Sequence, residues 1–422
     1  MKYNNPFAAL KHKNFRYYWL GMCISLIGTW MQNTAQPWLA YTLTESPFLL
    51  SLIGTLQFTP VLLFSLFAGV VVDRFPKKKI LFFTQSASLI ITFILALLVW
   101  SGHIRYWHIL ITATALGFVN TLDMPTRQSF VIELVGKEYL MNAIALNSSV
   151  FNVARIIGPA VAGIIMGYVG MASCFFINAL SYAAVLISLI FIRPMSPQSE
   201  QKKDDNIFIN IKDGLKYIYH SDTLFNTILV IAIVATFSMN LNVLVPVFAK
   251  EILNQQESGF GLLMSLMGIG SLCGALFIAT IGKSRSKRIV RYILNFMPLV
   301  LAFFLLITGL THQYILTGLC LAVTGAAFVS FSSTANSTMQ LNTKNEYRGR
   351  VMSVYSLVFA GSTPLGNLFA GTIAEHFGAN IAFMACGAIM ILLMILLYIN
   401  KSRNTPPQLS SYYQKCKNNV SN

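Results

Sequence analysis

Charged side chains are scarce in this sequence. Only 10% of its 422 residues are Asp, Glu, Lys or Arg, whereas 55% are hydrophobic, and the mean hydropathy is +0.63. A soluble globular domain usually carries about 25% charged residues. This shortage excludes a soluble protein with an ordinary solvated surface, and it predicts that most of the chain lies in lipid.

The motifs of membrane-embedded or nucleotide-driven catalysis are also missing. The sequence contains no His-Glu-x-x-His, no Gly-x-Gly-Asp, no Walker loop and no pair of histidines within an apolar run. Such motifs hold catalytic groups, a metal or the phosphates of ATP in place. We therefore predict that the chain is not an enzyme, that it has no metal site and that it needs no cofactor.

Twelve apolar segments are long enough to cross a bilayer as helices, which takes about 20 mostly apolar residues each. Backbone polar groups in lipid must be satisfied internally, and the alternating strands of a β-barrel are absent. All cysteines except Cys416 lie in these segments, so no disulfide framework is expected. The predicted spans are residues 16–42, 49–72, 80–100, 106–125, 143–168, 171–192, 222–249, 259–281, 290–310, 313–335, 351–374 and 378–400.

The thirty basic residues outnumber the fourteen acidic ones, which gives a net charge of +16. Cytoplasmic loops of membrane proteins carry an excess of Lys and Arg. With the N-terminus inside, the outer loops hold only Arg105 and Lys250, Arg155 alone lies within a span, and every other basic residue faces the cytoplasm. We therefore predict that both termini are cytoplasmic. Because the basic residues are scattered rather than gathered in one stripe, no nucleic-acid partner is expected.

A polar interval divides the predicted spans into six and six. Its second part is amphipathic, since Ile207, Ile211, Leu215 and Ile218 share one helical face, which predicts a helix on the membrane surface. The predicted fold class is all-α and integral to the membrane, with twelve transmembrane helices in two six-helix bundles. The predicted divisions are an N-terminal bundle over residues 1–192, a cytoplasmic linker over 193–221, a C-terminal bundle over 222–400 and a cytoplasmic tail over 401–422.

The two halves resemble each other in sequence. A shift of 208 residues aligns the fifth span with the eleventh, so that Gly158 meets Gly366, and a shift of 209 aligns Asn33 of the first span with Asn242 of the seventh. Parallel six-helix repeats are a recognised transporter plan, with the substrate site between the repeats near the middle of the bilayer.

The loop after the second span resembles a signature of the major facilitator superfamily. Residues 69–78 are GVVVDRFPKK, in which a proline replaces the usual second glycine. The matching residues are Gly69, Asp73, Arg74, Lys77 and Lys78. The resemblance implies that Asp73 contacts the start of span eleven and holds the cytoplasmic side closed. The positive end of that helix dipole would favour the contact. An ordinary basic loop is the alternative.

The fifth span contains ARIIGPAVAG over residues 154–163, which resembles the Gly-Pro signature of the exporter and antiporter branches of that superfamily. Pro159 removes a backbone donor and bends the helix, while Gly158 and Gly163 permit close contact between helices. The resemblance implies export, and simple helix packing is the alternative. Arg155, near the middle of the bilayer, either anchors a polar or anionic substrate, belongs to the coupling machinery, or bonds to backbone carbonyls.

Neutral polar residues within the spans are candidates for a substrate cavity, because lipid would leave their polar groups unsatisfied. Bonding between helices is the alternative for each of them. The candidates are Thr29, Asn33, Gln36, Asn147, Asn152, Asn240 and Asn242. No carboxylate falls at the middle of a span, so Asp123 and Glu375, near the ends of spans four and eleven, are the candidates for ion coupling.

Residues 123–130, 152–160 and 348–353 narrow the resemblance to the subgroup of the enterobactin exporter and the macrolide efflux pumps. This implies a monomeric secondary transporter in a bacterial inner membrane. It would export a siderophore-like or drug-like amphipathic molecule by alternating access. Its partners would be the small-molecule substrate, an ion gradient, expected to be of protons, and the lipid bilayer. The alternatives are an importer or uniporter of the same fold and, in a different class, an intramembrane enzyme or a receptor.

Overall fold

The computed structural model describes residues 7–192, 207–281 and 286–404, and every regular element in these ranges is helical. A short 3-10 helix at Ala8–Lys11 precedes the α-helices. The α-helices are α1 (Lys13–Thr44), α2 (Pro47–Arg74), α3 (Lys77–Trp100), α4 (Tyr106–Tyr168), α5 (Met171–Phe191), α6 (Ile207–Tyr219), α7 (Asp222–Ser238), α8 (Leu241–Glu251), α9 (Glu257–Ile281), α10 (Lys287–Leu310), α11 (Tyr314–Leu341), α12 (Asn345–Phe377) and α13 (Ala379–Asn404).

Ten helical segments in the described ranges are long and apolar enough to cross a membrane. They come from all the α-helices except α1, α6 and the first part of α4, with α7 and α8 together forming one segment. The predicted all-helical membrane class is therefore confirmed. The predicted spans 16–42 and 106–125 are helical but are not among the ten, because polar side chains interrupt their apolar runs.

Two segments differ from the sequence prediction. The predicted loop at residues 126–142 is largely helical. The helix that begins at Tyr106 extends past residue 125 as far as Gly136, where the backbone is not helical (φ +70°, ψ 176°), and a second helical part follows to Tyr168. This part of α4 is amphipathic, and its Phe130 and Leu134 are buried against Tyr18 of α1 and other residues of the N-terminal half. A stripe of this kind is too short and polar to be recognised as a span, but it is enough to hold a helix against its neighbours.

The predicted seventh span is interrupted. Helix α7 ends at Ser238 and α8 begins at Leu241, so the chain turns at Met239 and Asn240. Asn240 is buried, and its side-chain amide donates to Cys386 Sγ at 3.3 Å. The bond joins the break between α7 and α8 to α13, and the overall apolar composition of residues 222–249 did not indicate a break there.

Helix α6 forms where the amphipathic pattern predicted it. It packs against the start of α12, where Asp213 pairs with Arg350 at 3.0 Å and Tyr217 stacks on Tyr347 with ring centroids 4.6 Å apart. Ile218 is buried, whereas Leu215 is exposed. Residues 193–206 of the predicted linker, residues 405–422 of the predicted tail and the side chains at 207–212 lie outside the described part of the structure.

Equivalent positions of the two halves make equivalent contacts. The hydroxyl of Tyr106 donates to the carbonyl of Leu49 at 2.8 Å, and Tyr314, 208 residues later, donates to the carbonyl of Gly259 at 2.8 Å. Each bond joins two neighbouring helices of one half. The match follows from the sequence similarity of the halves, because residues at the same repeat position lie in the same local surroundings.

Glycines allow several helices to cross at very short distances. A Cβ at Gly270 of α9 would overlap the carbonyl oxygen of Ala322 on α11, and a Cβ at Gly274 would overlap that of Ala326. In the absence of a hydrophobic driving force in lipid, such close backbone contact supplies much of the attraction between helices. The α9–α11 crossing therefore depends on glycine at these positions.

We predict that Gly270→Ala destabilises the protein by about 1–3 kcal/mol, because the added methyl group meets backbone rather than a movable side chain. The measurement is thermal unfolding of the full-length protein in detergent. Gly349→Ala is the matched control, since no atom lies within 4 Å of a Cβ there and alanine favours the helix. Equal unfolding temperatures for Gly270→Ala and the native protein would contradict the prediction.

Candidate functional site

The connections between helices lie at two ends of the molecule. We call them the distal end and the terminal end. The distal end contains the connections at residues 45–46, 101–105, 169–170, 252–256, 311–313 and 378. The terminal end contains the start of α1, the connections at residues 75–76 and 342–344, and helix α6.

The two halves of the chain meet along two seams. In the first seam, α2 packs against α12. At the distal end, Glu375 Oε2 accepts hydrogen bonds from Ser46 Oγ at 2.7 Å and from the backbone N–H of Phe48 at 3.0 Å. One turn along α12, Gly371 lies against Ser51 of α2. The predicted coupling residue Glu375 therefore joins the two halves at this seam.

In the second seam, α4 packs against α9. Gly163 and Gly261 are so close that a Cβ on Gly261 would lie 2.7 Å from the Cα of Gly163. Further along the seam, a Cβ on Gly268 would lie 2.7 Å from the carbonyl oxygen of Arg155. The small residues of the span-five motif thus serve contact between the halves at Gly163. Gly158 instead packs against Trp30 of α1.

Each seam contains one hydrogen bond from a side-chain hydroxyl to a backbone carbonyl, and the two carbonyls lie at the same depth along the helices. Ser265 Oγ of α9 donates to the carbonyl of Ile156 at 2.8 Å, and Thr55 Oγ1 of α2 approaches the carbonyl of Pro364 at 3.4 Å. Ile156 and Pro364 are 208 residues apart, the shift that aligns the halves. Proline has no backbone N–H, so Pro364 and Pro159 leave the carbonyls four residues earlier, those of Ala360 and Arg155, without their helical donors.

Aromatic and acidic side chains close the distal end between the seams. Trp38 Nε1 donates to Glu257 Oε1 at 3.2 Å, and its ring stacks on Phe260 with centroids 5.1 Å apart. The hydroxyl of Tyr41 donates to Glu251. These contacts run from α1 of one half to α8 and α9 of the other, so they bar passage through the distal end.

The hydrogen bonds identified between the described residues of the two halves lie toward the distal end. They are found at the distal end itself or at the depth of Ile156 and Pro364. On the terminal side of this depth, Leu62 still approaches Gly361, but no atom lies within 4 Å of a Cβ at Gly69. The halves therefore separate toward the terminal end and leave a cleft between them.

The loop signature lies at the terminal end of α2. Its predicted tight turn is present, since only residues 75–76 separate α2 from α3. Lys77 pairs with Glu133 at 3.4 Å, Lys78 Nζ donates to the carbonyl of Ile192 at 2.7 Å, and Arg74 is exposed. Both lysines thus contact their own half. The side chain of Asp73 lies outside the described residues.

The predicted cavity residues differ in burial and in their hydrogen-bond partners. Two are buried: Gln36 accepts from Gln32 of its own helix, and Asn240 donates to Cys386 of α13. Two bond within their own helix, Thr29 to the carbonyl of Ser25 and Asn152 to that of Ser148. The others are Asn33 and Asn147, which are half-buried, and Asn242, which is exposed.

A buried ion pair that the sequence analysis did not recognise lies in the N-terminal half. Asp123 is only 5% exposed, and its Oδ2 accepts from Arg127 Nε. Its Oδ1 accepts from Thr84 Oγ1 at 2.7 Å and from Gln85 Nε2 at 2.8 Å. The signal was present, because Asp and Arg four residues apart face each other on a helix. The predicted fourth span ends at residue 125, however, so Arg127 falls in a predicted loop.

Arg155 has no such partner. Its guanidinium lies 5.4 Å from the centre of the Trp30 ring, and its Nε is buried without a hydrogen-bond partner. Within the part of the chain that the structure describes, no carboxylate lies within 4.0 Å of it. The predicted alternative of an arginine bonded to backbone carbonyls is not realised among these residues.

A membrane protein whose two helical halves are joined at one end and separated at the other has the arrangement of an alternating-access transporter. The sequence profile of a family described as "Transmembrane secretion effector" matches residues 4–417. The chain belongs to this family, which is part of the major facilitator superfamily. The family and its relatives are transporters, not enzymes.

The chain is similar to named relatives along almost its whole length. It is 26% identical to the staphyloferrin A transporter of Staphylococcus aureus, covering 92% of this chain and 96% of the relative. It is 25% identical to macrolide efflux protein A of Streptococcus pyogenes, with 94% and 96% covered. It is 22% identical to the enterobactin exporter of Shigella boydii, with 95% and 96% covered.

Solved structures share the fold. A nucleoside transporter superposes with a TM-score of 0.72 at 14% identity, covering 92% of this chain and 98% of that one. A bacterial homolog of the lysosomal transporter Spinster, in an inward-facing and unoccupied conformation, superposes with a TM-score of 0.69 at 12% identity, covering 92% and 94%. At such low identity these similarities concern the fold alone.

We predict that Asp123→Asn destabilises the protein by about 3–5 kcal/mol, because Arg127 is left as a buried charge without a counter-charge. The measurement is thermal unfolding of the full-length protein in detergent. The double variant Asp123→Leu/Arg127→Met removes both charges and is expected to recover most of the lost stability. If Asp123→Asn unfolds at the native temperature, the pair does not stabilise the fold.

Proposed function

We propose that this transporter exports a small amphipathic molecule, of the siderophore or drug type, from the cytoplasm. The observation that carries the proposal is the cleft between the halves, which is closed at the distal end and open at the terminal end. The terminal end bears most of the basic loops, so the positive-inside rule assigns it to the cytoplasm. An exporter must load its cargo from that side.

The names of the relatives support this direction. A macrolide efflux protein and an enterobactin exporter both move their cargo out of the cell, and the chain covers 96% of each. The importer or uniporter has no comparable support. Macrolides and enterobactin are different compounds, so similarity to the two relatives supports a class of small molecules rather than one compound.

The topology that fits this proposal has twelve spans and cytoplasmic termini in a bacterial inner membrane. Helix α1 has 32 residues and runs from the terminal end to the distal end, about 48 Å at 1.5 Å per residue. The first part of α4 makes the same kind of crossing. Counting both gives six spans before the linker at 193–221 and six after it, with the tail at 401–422 on the cytoplasmic side.

Alternating access would exchange one set of contacts between the halves for another. The distal contacts of Glu251, Glu257 and Glu375 would break, and the terminal ends of α2 and α12 would approach. The family resemblance gives Asp73 the role of holding the closed cytoplasmic side. A proton gradient is the proposed energy source, with Glu375 and Asp123 as its candidate carriers, because a carboxylate that takes up a proton loses its charged hydrogen bonds.

We predict that Glu251→Gln/Glu375→Gln opens the distal end, because both substitutions weaken charge-assisted bonds between the halves. A cysteine at Ser265, in a cysteine-free background, is labelled from the outside with a membrane-impermeant maleimide. Labelling should be about tenfold faster in the double variant than in the background protein. Glu133→Gln, at the terminal end, is the control and should leave the rate unchanged. An unchanged rate in the double variant would show that these bonds do not hold the distal end closed.

The proposed function itself is tested in a strain that lacks the gene. Small molecules in the cells and in the medium are compared, with and without a protonophore. We expect the cargo to accumulate inside the mutant, and the native gene to restore its release in a protonophore-sensitive manner. Asp73→Asn should not restore release, whereas Asp222→Asn, an exposed residue at the start of α7, should. Depletion of the compound inside the mutant would instead indicate import.

A further inference from the structure

One face of helix α4 follows the cleft. The face that includes Arg155 also includes Ser148 and Phe151 toward the terminal end, and Pro159 and Ala162 toward the distal end, at helical spacings of three and four residues. Ser148 and Phe151 are exposed, Arg155 is half-buried, and the two distal residues are buried. Arg155 therefore lies where this face passes from the open cleft into the closed seam.

The exposure of this face does not come from lipid contact. Val153 and Ile157 are also exposed, but two residues away along a helix means about 200° of rotation, so they lie on the opposite side of α4 from Arg155. Those two apolar side chains form the lipid-facing side. The side with Arg155 faces Trp30 of α1, and the carbonyl of Arg155 lies against Gly268 of α9 in the other half.

The positive charge at this point is not balanced. Four acidic side chains in the described helices already have other partners. Glu251, Glu257 and Glu375 accept hydrogen bonds at the distal end, and Asp123 pairs with Arg127. An unpaired charge at membrane depth is costly and usually faces a cavity or a partner. The repeat-related position is Thr363, a buried neutral residue, so the other half supplies neither a counter-charge nor a second cation.

We propose that Arg155 binds an anionic group of the cargo, and that the cargo is an amphipathic molecule bearing a carboxylate. A guanidinium presents parallel N–H donors that match a carboxylate, and it stays charged at all physiological pH values. The rings of Trp30 and Phe151, 5.5 Å apart beside Arg155, would contact the apolar part of the same molecule. As a statement about cargo, the proposal rests on the export function proposed above.

The test uses two fluorescent probes that differ only at the head group, 1-pyrenebutyrate and 1-pyrenebutanol. Binding to the purified full-length protein in detergent is followed by energy transfer from tryptophan to pyrene, since Trp30 adjoins the site. We expect the carboxylate to bind at least about tenfold more tightly than the alcohol, as a charge-assisted hydrogen bond implies. Equal affinities, or no saturable binding of either probe, would overturn the proposal.

Substitutions assign the preference to Arg155. Arg155→Gln should bind both probes equally. Arg155→Lys keeps the positive charge but not the parallel N–H donors, so it should retain a reduced preference for the carboxylate. Arg291→Gln, which removes an exposed arginine of α10, is the matched control and should keep the native preference. A preference that survives in Arg155→Gln contradicts the proposal. If Arg155→Gln does not fold, Arg155→Lys is the test: a reduced preference for the carboxylate supports the proposal, and an unchanged preference contradicts it.

The binding test and the deletion strain can fail separately. A carboxylate preference that depends on Arg155, in a strain that accumulates nothing, would leave the anion site standing and reject export. A strain that accumulates an uncharged cargo, whose release Arg155→Gln restores in full, would support export and reject the anion site.

Discussion

Lipid offers no hydrogen bonds, and the structure follows from that constraint. Each polar group inside the membrane must find its partner within the protein, so the backbone is helical and side-chain charges are rare. Several of the charged side chains in the helices have partners. Asp123 meets Arg127 inside one half, while Glu251 and Glu375 meet hydroxyl and backbone donors of the other half.

The same constraint distinguishes charged groups that stabilise the fold from charged groups that can take part in transport. The pair of Asp123 and Arg127 satisfies itself within the N-terminal half and does not depend on how the halves are arranged. The distal carboxylates are satisfied only while the halves touch there, so their bonds report the state of the cleft. Among the described residues, Arg155 has neither a counter-charge within its own half nor a hydrogen-bond partner in the other half. A transporter needs all three kinds of site: one that holds each half together, one that changes partner, and one that the cargo completes.

Several features could be predicted from residues alone. Apolar length indicated the helices, and the amphipathic pattern indicated α6. The extension of the helix from residue 125 to Gly136 and the break before Leu241 could not be predicted in the same way. The first depends on packing against α1, and the second on a side chain that finds its partner on α13.

The sequence by itself determined the membrane class, the helical elements and the family, because these depend on composition, on local periodicity and on short motifs. It also singled out Arg155, because a charge within an apolar run is visible without a structure. Only the tertiary structure decided which end of the molecule is closed, that Gln36 and Asn240 are used within their own halves, and that Arg155 faces the cleft unpaired. Those outcomes depend on which helices meet, and contacts between distant parts of a chain leave no local pattern in it.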